Sequence, residues 1–354
     1  MTQERQPGTM IGDRFRLDSR LARGGFGIVW RARDLKLDLD VAVKEVYLPA
    51  SISPEEHAGR LARAAREARN AAVLRDHPHI VAVHDVITQD DRPWMIMRLV
   101  QGHSLESHLA DRGTLTATEA RHAARCLLEA LGAAHAADIV HRDVKPANVM
   151  VTDHGSFMLT DFGIAVHSTD TALTTTGALI GSLEYVAPER TGGTTDQPAG
   201  DLFSLGVTLY QAVEGVSPFR RANPTATLTA LLTEPPPPPR KAGRLEPLIT
   251  ALLEKDPALR PTATEALTLL DARSGSTRVV TKQAVNTDAP TVLTSQGEPA
   301  GQPAEKPAEK KPADRAADAT AAKTTWEKTI EHIEEWVACI AVIFVIGYLK
   351  MRFG

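Results

Sequence analysis

The chain has 354 residues, 43% hydrophobic and 24% charged, which suits one sizeable globular domain with segments to spare. A formal net charge of −4 argues against general affinity for nucleic acid. Two distant cysteines, Cys126 and Cys339, exclude a disulfide framework and suit a reducing cytosol. The N-terminus, MTQERQPGTMIGDRF, lacks the apolar core of a secretory signal.

From Phe15 to Val46 the pattern is strand-like, broken by LARGGFGIV. Gly24, Gly25 and Gly27 would let a hairpin backbone approach an anion closely and donate N–H groups to it, although a plain β-turn carries the same residues. Lys44 ends the apolar strand VAVK. Alanine, leucine and arginine at helical spacing predict a helix over 54–74. On it Arg60, Arg63, Arg66 and Arg69 drift around the axis as a solvated face. IVAVHDVI and WMIMRLV read as strands, and Ser104 to Ala137 as helical. Cys126 is expected to pack among Ala124, Leu127 and Leu128. His122 and His135 read as surface or core residues, since no matching ligand cluster accompanies them.

The stretch HRDVKPANVMVTDHGSFMLTDFG, from His141 to Gly163, carries the chemistry. Phosphoryl transfer asks a protein for metal ligands and for a carboxylate that orients the attacking hydroxyl. Asp143 can accept that hydroxyl's proton, Asn148 and Asp161 are hard oxygen ligands suited to Mg²⁺, and Lys145 can meet the transferring phosphate as a point charge. A polar hairpin with chance acidic residues is the plain alternative. In order and spacing the two motifs resemble the catalytic and metal-binding loops of the eukaryotic-type (Hanks-type) serine/threonine protein kinases of bacteria.

That resemblance covers about residues 11–272. It implies an α+β bilobal kinase fold, with a small β-rich N-lobe bearing one helix and a larger helical C-lobe. It also implies ATP and Mg²⁺, with Mn²⁺ as a substitute. Ala22, Arg23, Gly24, Gly25, Phe26, Gly27 and Val29 match the family's glycine-rich loop. Ala22 stands where the first glycine of GxGxxGxV is expected, which bears on nucleotide affinity. By resemblance Ala42 lines the nucleotide, Lys44 grips its phosphates and Glu67 pairs with Lys44. Met97 lies behind the adenine, and Arg98, Leu99 and Val100 form the hinge. Many kinases carry an acidic residue where Arg98 stands; hinge contacts to adenine use the backbone, so the change is expected to be tolerated.

Between DFG and Ala187-Pro188-Glu189 the resemblance places the activation segment. Arg142, just before Asp143, implies phosphorylation of Thr174, Thr175 or Thr176 there. Ser182 replaces the threonine of GTxxY and keeps a hydroxyl for Asp143 and Lys145. Lys145 marks serine/threonine rather than tyrosine acceptors. Asp201 is expected to brace the catalytic-loop backbone and Arg260 to pair with Glu189. Pro235–Pro239 predicts a short polyproline II loop.

Residues 273–325, rich in Thr, Ala, Pro, Lys and Glu, cannot form a core and predict a disordered linker. Residues 326–354 predict a C-terminal helix. Its uncharged run, Trp336 to Leu349, is about 21 Å long as a helix against a hydrocarbon core of about 30 Å. Extended to Gly354, with Lys350 and Arg352 snorkelling, it suits a single-pass anchor, a partner-docking helix being the alternative. Glu334 and Glu335 before the run and basic residues after it run against positive-inside. The expectation is therefore a membrane-tethered kinase with its catalytic domain in the cytoplasm, or else a wholly cytoplasmic one. Its partners would be protein substrates and, for autophosphorylation, a second copy of itself. The rival readings are a nucleotide-binding pseudokinase scaffold at the membrane, favoured only by Ala22, and a small-molecule phosphotransferase, disfavoured by the intact APE motif.

Overall fold

A computed structural model of the chain describes residues 5–24, 27–47, 72–162, 183–192 and 197–272, with scattered positions between 53 and 66. Gly25, Phe26, Glu67, Gly163, Thr174–Thr176, Ser182, the linker over 273–325 and the tail over 326–354 lie outside the described residues.

The N-terminal part is a six-stranded antiparallel sheet in the order β1-β2-β3-β4-β6-β5. Its strands are β1 (Met10–Ile11), β2 (Phe15–Gly24), β3 (Gly27–Asp34), β4 (Leu39–Val46), β5 (Val83–Gln89) and β6 (Arg92–Arg98). Side chains alternate between the two faces of a strand. One face of this sheet buries Phe15, Leu17, Ile28, Trp30, Ala32, Val41, Val43, Trp94 and Ile96 in a core of its own. The other carries Val29, Ala42, Val46, Met95 and Met97 into the main core of the domain. β4 is therefore buried on both faces, and this is why VAVK reads as a continuous apolar run. Glu55, Ala58, Gly59, Leu61, Ala62 and Arg66 are helical, as the spacing predicts.

A small second sheet is formed by β7 (Gly102–Ser104), β8 (Val149–Thr152) and β9 (Phe157–Leu159), in that order. Gly102 has φ +148°, and a Cβ on it would stand 2.1 Å from the Val151 carbonyl oxygen, so only glycine lets β7 lie against β8. Leu159 bonds back to the segment before β5, accepting from Val81 N at 2.8 Å and donating to the His79 carbonyl at 2.9 Å.

The rest is helical: α1 (Leu105–Arg112), α2 (Ala117–Ala136), α3 (Pro198–Glu214), α4 (Pro224–Thr233), α5 (Glu246–Leu252) and α6 (Ala263–Asp271). The helical pattern over Ser104–Ala137 is thus two helices. Gly113, at φ +80°, closes α1, and Thr116 opens α2 with a capping box in which Glu119 Oε2 accepts from Thr116 N at 2.8 Å. α3 is buried from Gly200 to Tyr210, so it runs through the centre of the helical part rather than along its surface. No helix among the described residues is long and apolar enough to cross a membrane. Pro235–Pro239 forms neither helix nor strand, in keeping with the predicted loop.

Candidate active site

Cross-strand partners in a sheet share a face. The register pairs Val29 with Lys44, Lys44 with Met95, and Ala42 with Met97. Val29, Ala42, Lys44, Met95 and Met97 therefore line one continuous face, opposite the N-terminal core. Four of these five are residues assigned to the nucleotide from sequence. Ala22 pairs with Val29 next to a bulge between Arg20 and Ala22, and Gly24 pairs with Gly27 where the β2–β3 hairpin closes. Gly27 has φ +144°, and a Cβ there would stand 1.8 Å from the Glu45 carbonyl oxygen, so the hairpin and β4 meet backbone to backbone. Arg98 ends β6, with its N–H donating to the Ala82 carbonyl at 2.9 Å; Leu99 and Val100 pack against the main core beyond it.

The catalytic loop lies between α2 and β8. A 3-10 turn, Pro146–Asn148, bends the chain so that Asn148 faces back on Asp143. Asn148 Nδ2 donates to the Asp143 carbonyl and to Asp143 Oδ2, both at 2.8 Å. Lys145 Nζ stands 2.8 Å from the same Oδ2. Across the β8–β9 hairpin Thr160 N donates to the Asn148 carbonyl at 3.0 Å, which sets Asp161 beside the loop. Asp161 has φ +66°, a left-handed conformation uncommon outside glycine, and its Oδ1 lies 2.8 Å from Lys44 Nζ. Asp143, Lys145 and Asn148 thus form one contacting set and Lys44 and Asp161 another, the two joined through the Thr160–Asn148 backbone bond, whereas Glu67, the expected partner of Lys44, falls outside the described residues.

Whether this group can take a divalent cation is tested by its oxygens. Asp161 Oδ1 is buried and, despite its closeness to Lys44, has no aligned hydrogen-bond donor among the described residues. Asn148 commits its amide nitrogen to Asp143 and leaves its oxygen end for a ligand. A buried carboxylate oxygen with an unused lone pair and an amide oxygen left without a donor among the described residues are the kinds of hard ligand that Mg²⁺ accepts, so the chemistry of these residues fits the ion.

The loop is held from beneath by Asp201, in the first turn of α3 and fully buried. Asp201 Oδ2 accepts from His141 N at 2.8 Å and lies 2.9 Å from His135 Nε2, while Oδ1 accepts from Arg142 N at 2.8 Å and from the Arg190 guanidinium at 3.0 Å. Burial alone would raise the pKa of Asp201. The bond to His135 and the charge of Arg190 outweigh it and hold the carboxyl far below the usual carboxylate range. His141 is sealed in the same layer. Its Nδ1 accepts from Asp143 N at 3.3 Å and its Nε2 donates to the Thr160 carbonyl at 2.9 Å, which fixes the neutral tautomer. Burial pushes its pKa down against the pull of Asp201 and Asp143.

The brace by Asp201 and the pairing of Arg260 with Glu189 follow the sequence reading; the second is bidentate, at 2.6 and 2.8 Å. Cys126 is buried and its thiol pushed up by burial, consistent with packing. Sequence reasoning missed two residues. His135 reads only as a generic surface or core histidine, yet it touches the brace. Arg190 carries no motif of its own beyond following Glu189.

A model of the protein kinase domain matches residues 15–269. The chain is 38% identical over 260 residues to the serine/threonine-protein kinase PknA of Mycobacterium tuberculosis, covering 72% of this chain and 59% of that one. To the serine/threonine-protein kinase PknB of Mycolicibacterium smegmatis it is 35% identical over 291 residues, covering 80% of this chain and 45% of that one. It thus spans only part of the length of these relatives. On this match and these identities, this chain belongs to the protein kinase family, in its bacterial serine/threonine branch.

Proposed function

We propose that the chain is an ATP-dependent serine/threonine protein kinase, moving the γ-phosphate of ATP to serine and threonine hydroxyls of protein substrates. The observation that carries this reading is the convergence of Asp143, Lys145 and Asn148 within 2.8 Å contacts, beside a Lys44–Asp161 pair of equal length. Asp143 would orient the acceptor hydroxyl and take its proton, while Lys145 offsets charge on the group in transfer. Lys44 would hold the α- and β-phosphates, and Asn148 and Asp161 would hold Mg²⁺, or Mn²⁺ in its place. The bound ion would neutralise the triphosphate. Lys145 and the names of the relatives support serine and threonine over tyrosine as acceptors.

Regulation and location extend the proposal on sequence grounds. Autophosphorylation of Thr174, Thr175 or Thr176 by a second copy would add a phosphate able to pair with Arg142. Residues 326–354 would tether the kinase to the membrane with its catalytic domain on the cytoplasmic side, where ATP is. The scaffold reading is weakened because Lys44, Asp143 and Asp161, whose loss would mark it, are all present in the sequence. Incubation of the full chain with γ-labelled Mg-ATP and a generic acceptor protein tests the reading. Phosphoserine and phosphothreonine, absent with Asp143→Asn, are expected; label on tyrosine, or equal label with the variant, would overturn it.

A further inference from the structure

The backbone around Arg142 is in an unusual state. Arg142 has φ +72°, a conformation that L side chains adopt only when their surroundings impose it. Its N–H is accounted for by Asp201 Oδ1 at 2.8 Å. Its carbonyl, which belongs to the peptide plane leading into Asp143, accepts from Arg190 NH1 at 3.1 Å. The other arm of the same guanidinium, NH2, donates to Asp201 Oδ1 at 3.0 Å. One arginine therefore grips both ends of one residue, the carbonyl directly and the amide through the shared carboxylate oxygen.

The site is shaped for that grip. Arg190 sits in the 3-10 turn Pro188–Gly192, immediately after Glu189, and its side chain is only 9% exposed. It lies flat on the first turn of α3 at Gly200. A Cβ on Gly200 would stand 2.6 Å from Arg190 Nε and 2.7 Å from Cζ, so glycine is what admits the guanidinium. A cation at a helix N-terminus opposes the helix dipole, and Asp201 in the same turn supplies the charge that offsets it. A planar fork with two donors on one edge suits two acceptors at a fixed separation; an ammonium does not.

We propose that Arg190 is a positioning residue for phosphoryl transfer, fixing the Arg142–Asp143 peptide plane and so the aim of the Asp143 carboxylate. The consequence for catalysis rests on the kinase reading above; the bracing does not. Because Arg190 belongs to the turn that closes the activation segment, the state of that turn is transmitted to Asp143 through one side chain. Arg190 touches neither Lys44 nor Asp161, so its loss changes turnover rather than nucleotide capture.

The test uses the full chain with Arg190→Met, Arg190→Lys and Gly200→Ala, the last displacing the guanidinium without removing its charge. Two readouts are taken: steady-state phosphotransfer with ATP varied, and hydrogen exchange of the catalytic-loop amides. For Arg190→Met and Gly200→Ala, kcat is expected to fall at least tenfold with KM for ATP within twofold, and Arg190→Lys to fall between. Exchange at the His141, Arg142 and Asp143 amides is expected to rise at least tenfold while the amides of Leu205 to Tyr210 keep their protection. Parent-like exchange at these amides in Gly200→Ala and Arg190→Lys would overturn the brace, as would a kcat within twofold of the parent. Should the parent itself transfer no phosphate, the exchange result still decides the brace, and only the kinase reading fails.

Discussion

Arg260 offers a stability experiment whose size follows from counting bonds. Its side chain is fully buried, and its five N–H groups meet five acceptors. Nε donates to the Glu254 carbonyl at 2.7 Å. NH1 donates to Glu189 Oε1 at 2.6 Å and the Ala199 carbonyl at 3.0 Å, and NH2 to Glu189 Oε2 at 2.8 Å and the Lys255 carbonyl at 2.9 Å. The guanidinium also lies 4.9 Å from the centre of the Phe203 ring. Lysine keeps the charge but has three N–H groups, so at least two of the five acceptor oxygens lose their donor. At about 1–3 kcal/mol for each group left unsatisfied, Arg260→Lys costs roughly 2–6 kcal/mol. Arg260→Met also takes the guanidinium away from Glu189, a loss of about 3–5 kcal/mol for a broken buried pair. Urea unfolding at neutral pH measures both, and in thermal unfolding the lysine variant should lose roughly 4–24 °C in Tm, at about 2–4 °C per kcal/mol for a domain of this size. A lysine variant within 0.5 kcal/mol of the parent would refute the reasoning, because the bonds counted here would then carry no net stability.

Three further outcomes follow from the same structure. His141 is held neutral by burial while the unfolded chain protonates it near pH 6.5, so its contribution is intact above that pH and is lost as pH falls. This residue alone steepens the acid side of the stability curve by up to about 1.4 kcal/mol per pH unit; His141→Phe should give a shallower curve between pH 5 and 6.5, and a parallel one contradicts it. Gly102→Ala and Gly113→Ala both place alanine at positive φ, but only Gly102 meets backbone, at 2.1 Å, while Gly113 faces open space. Thermal unfolding should show a cost above about 2 kcal/mol for the first and about 1 kcal/mol for the second, and equal costs would be wrong for this geometry. Asp161→Asn should reduce Mg²⁺-dependent ATP affinity at least tenfold by calorimetry while sparing metal-free binding; unchanged metal dependence would remove Asp161 from the metal site.

What the sequence discloses and what it hides divide along physical lines. Asp143, Lys145, Asn148 and Asp161 are legible because they fall within one short stretch whose residue types are dictated by the chemistry. The alternation of Ile28, Trp30 and Ala32 discloses a buried sheet face for the same local reason. The break between α1 and α2 is concealed because Gly113 and Thr116 interrupt a composition that is helical on both sides. Arg190 and His135 are invisible because their meaning lies in a partner, Asp201, that is 11 and 66 positions away. The buried acids of the N-terminal sheet are hidden likewise. Asp34 is bonded to Arg14 at 2.7 Å and Glu45 to Arg92 at 2.5 Å, and neither position carries a local signal for burial.

The most direct test of the central claim compares the parent chain with Asp143→Asn, measuring γ-phosphate transfer and ATP affinity on the same preparations. The account predicts transfer by the parent, a loss of at least a hundredfold in the variant, and nucleotide affinity unchanged within about threefold, because Asp143 acts on the acceptor hydroxyl rather than on ATP. Tight ATP binding by both proteins with no transfer by either would contradict it and leave a nucleotide-binding scaffold.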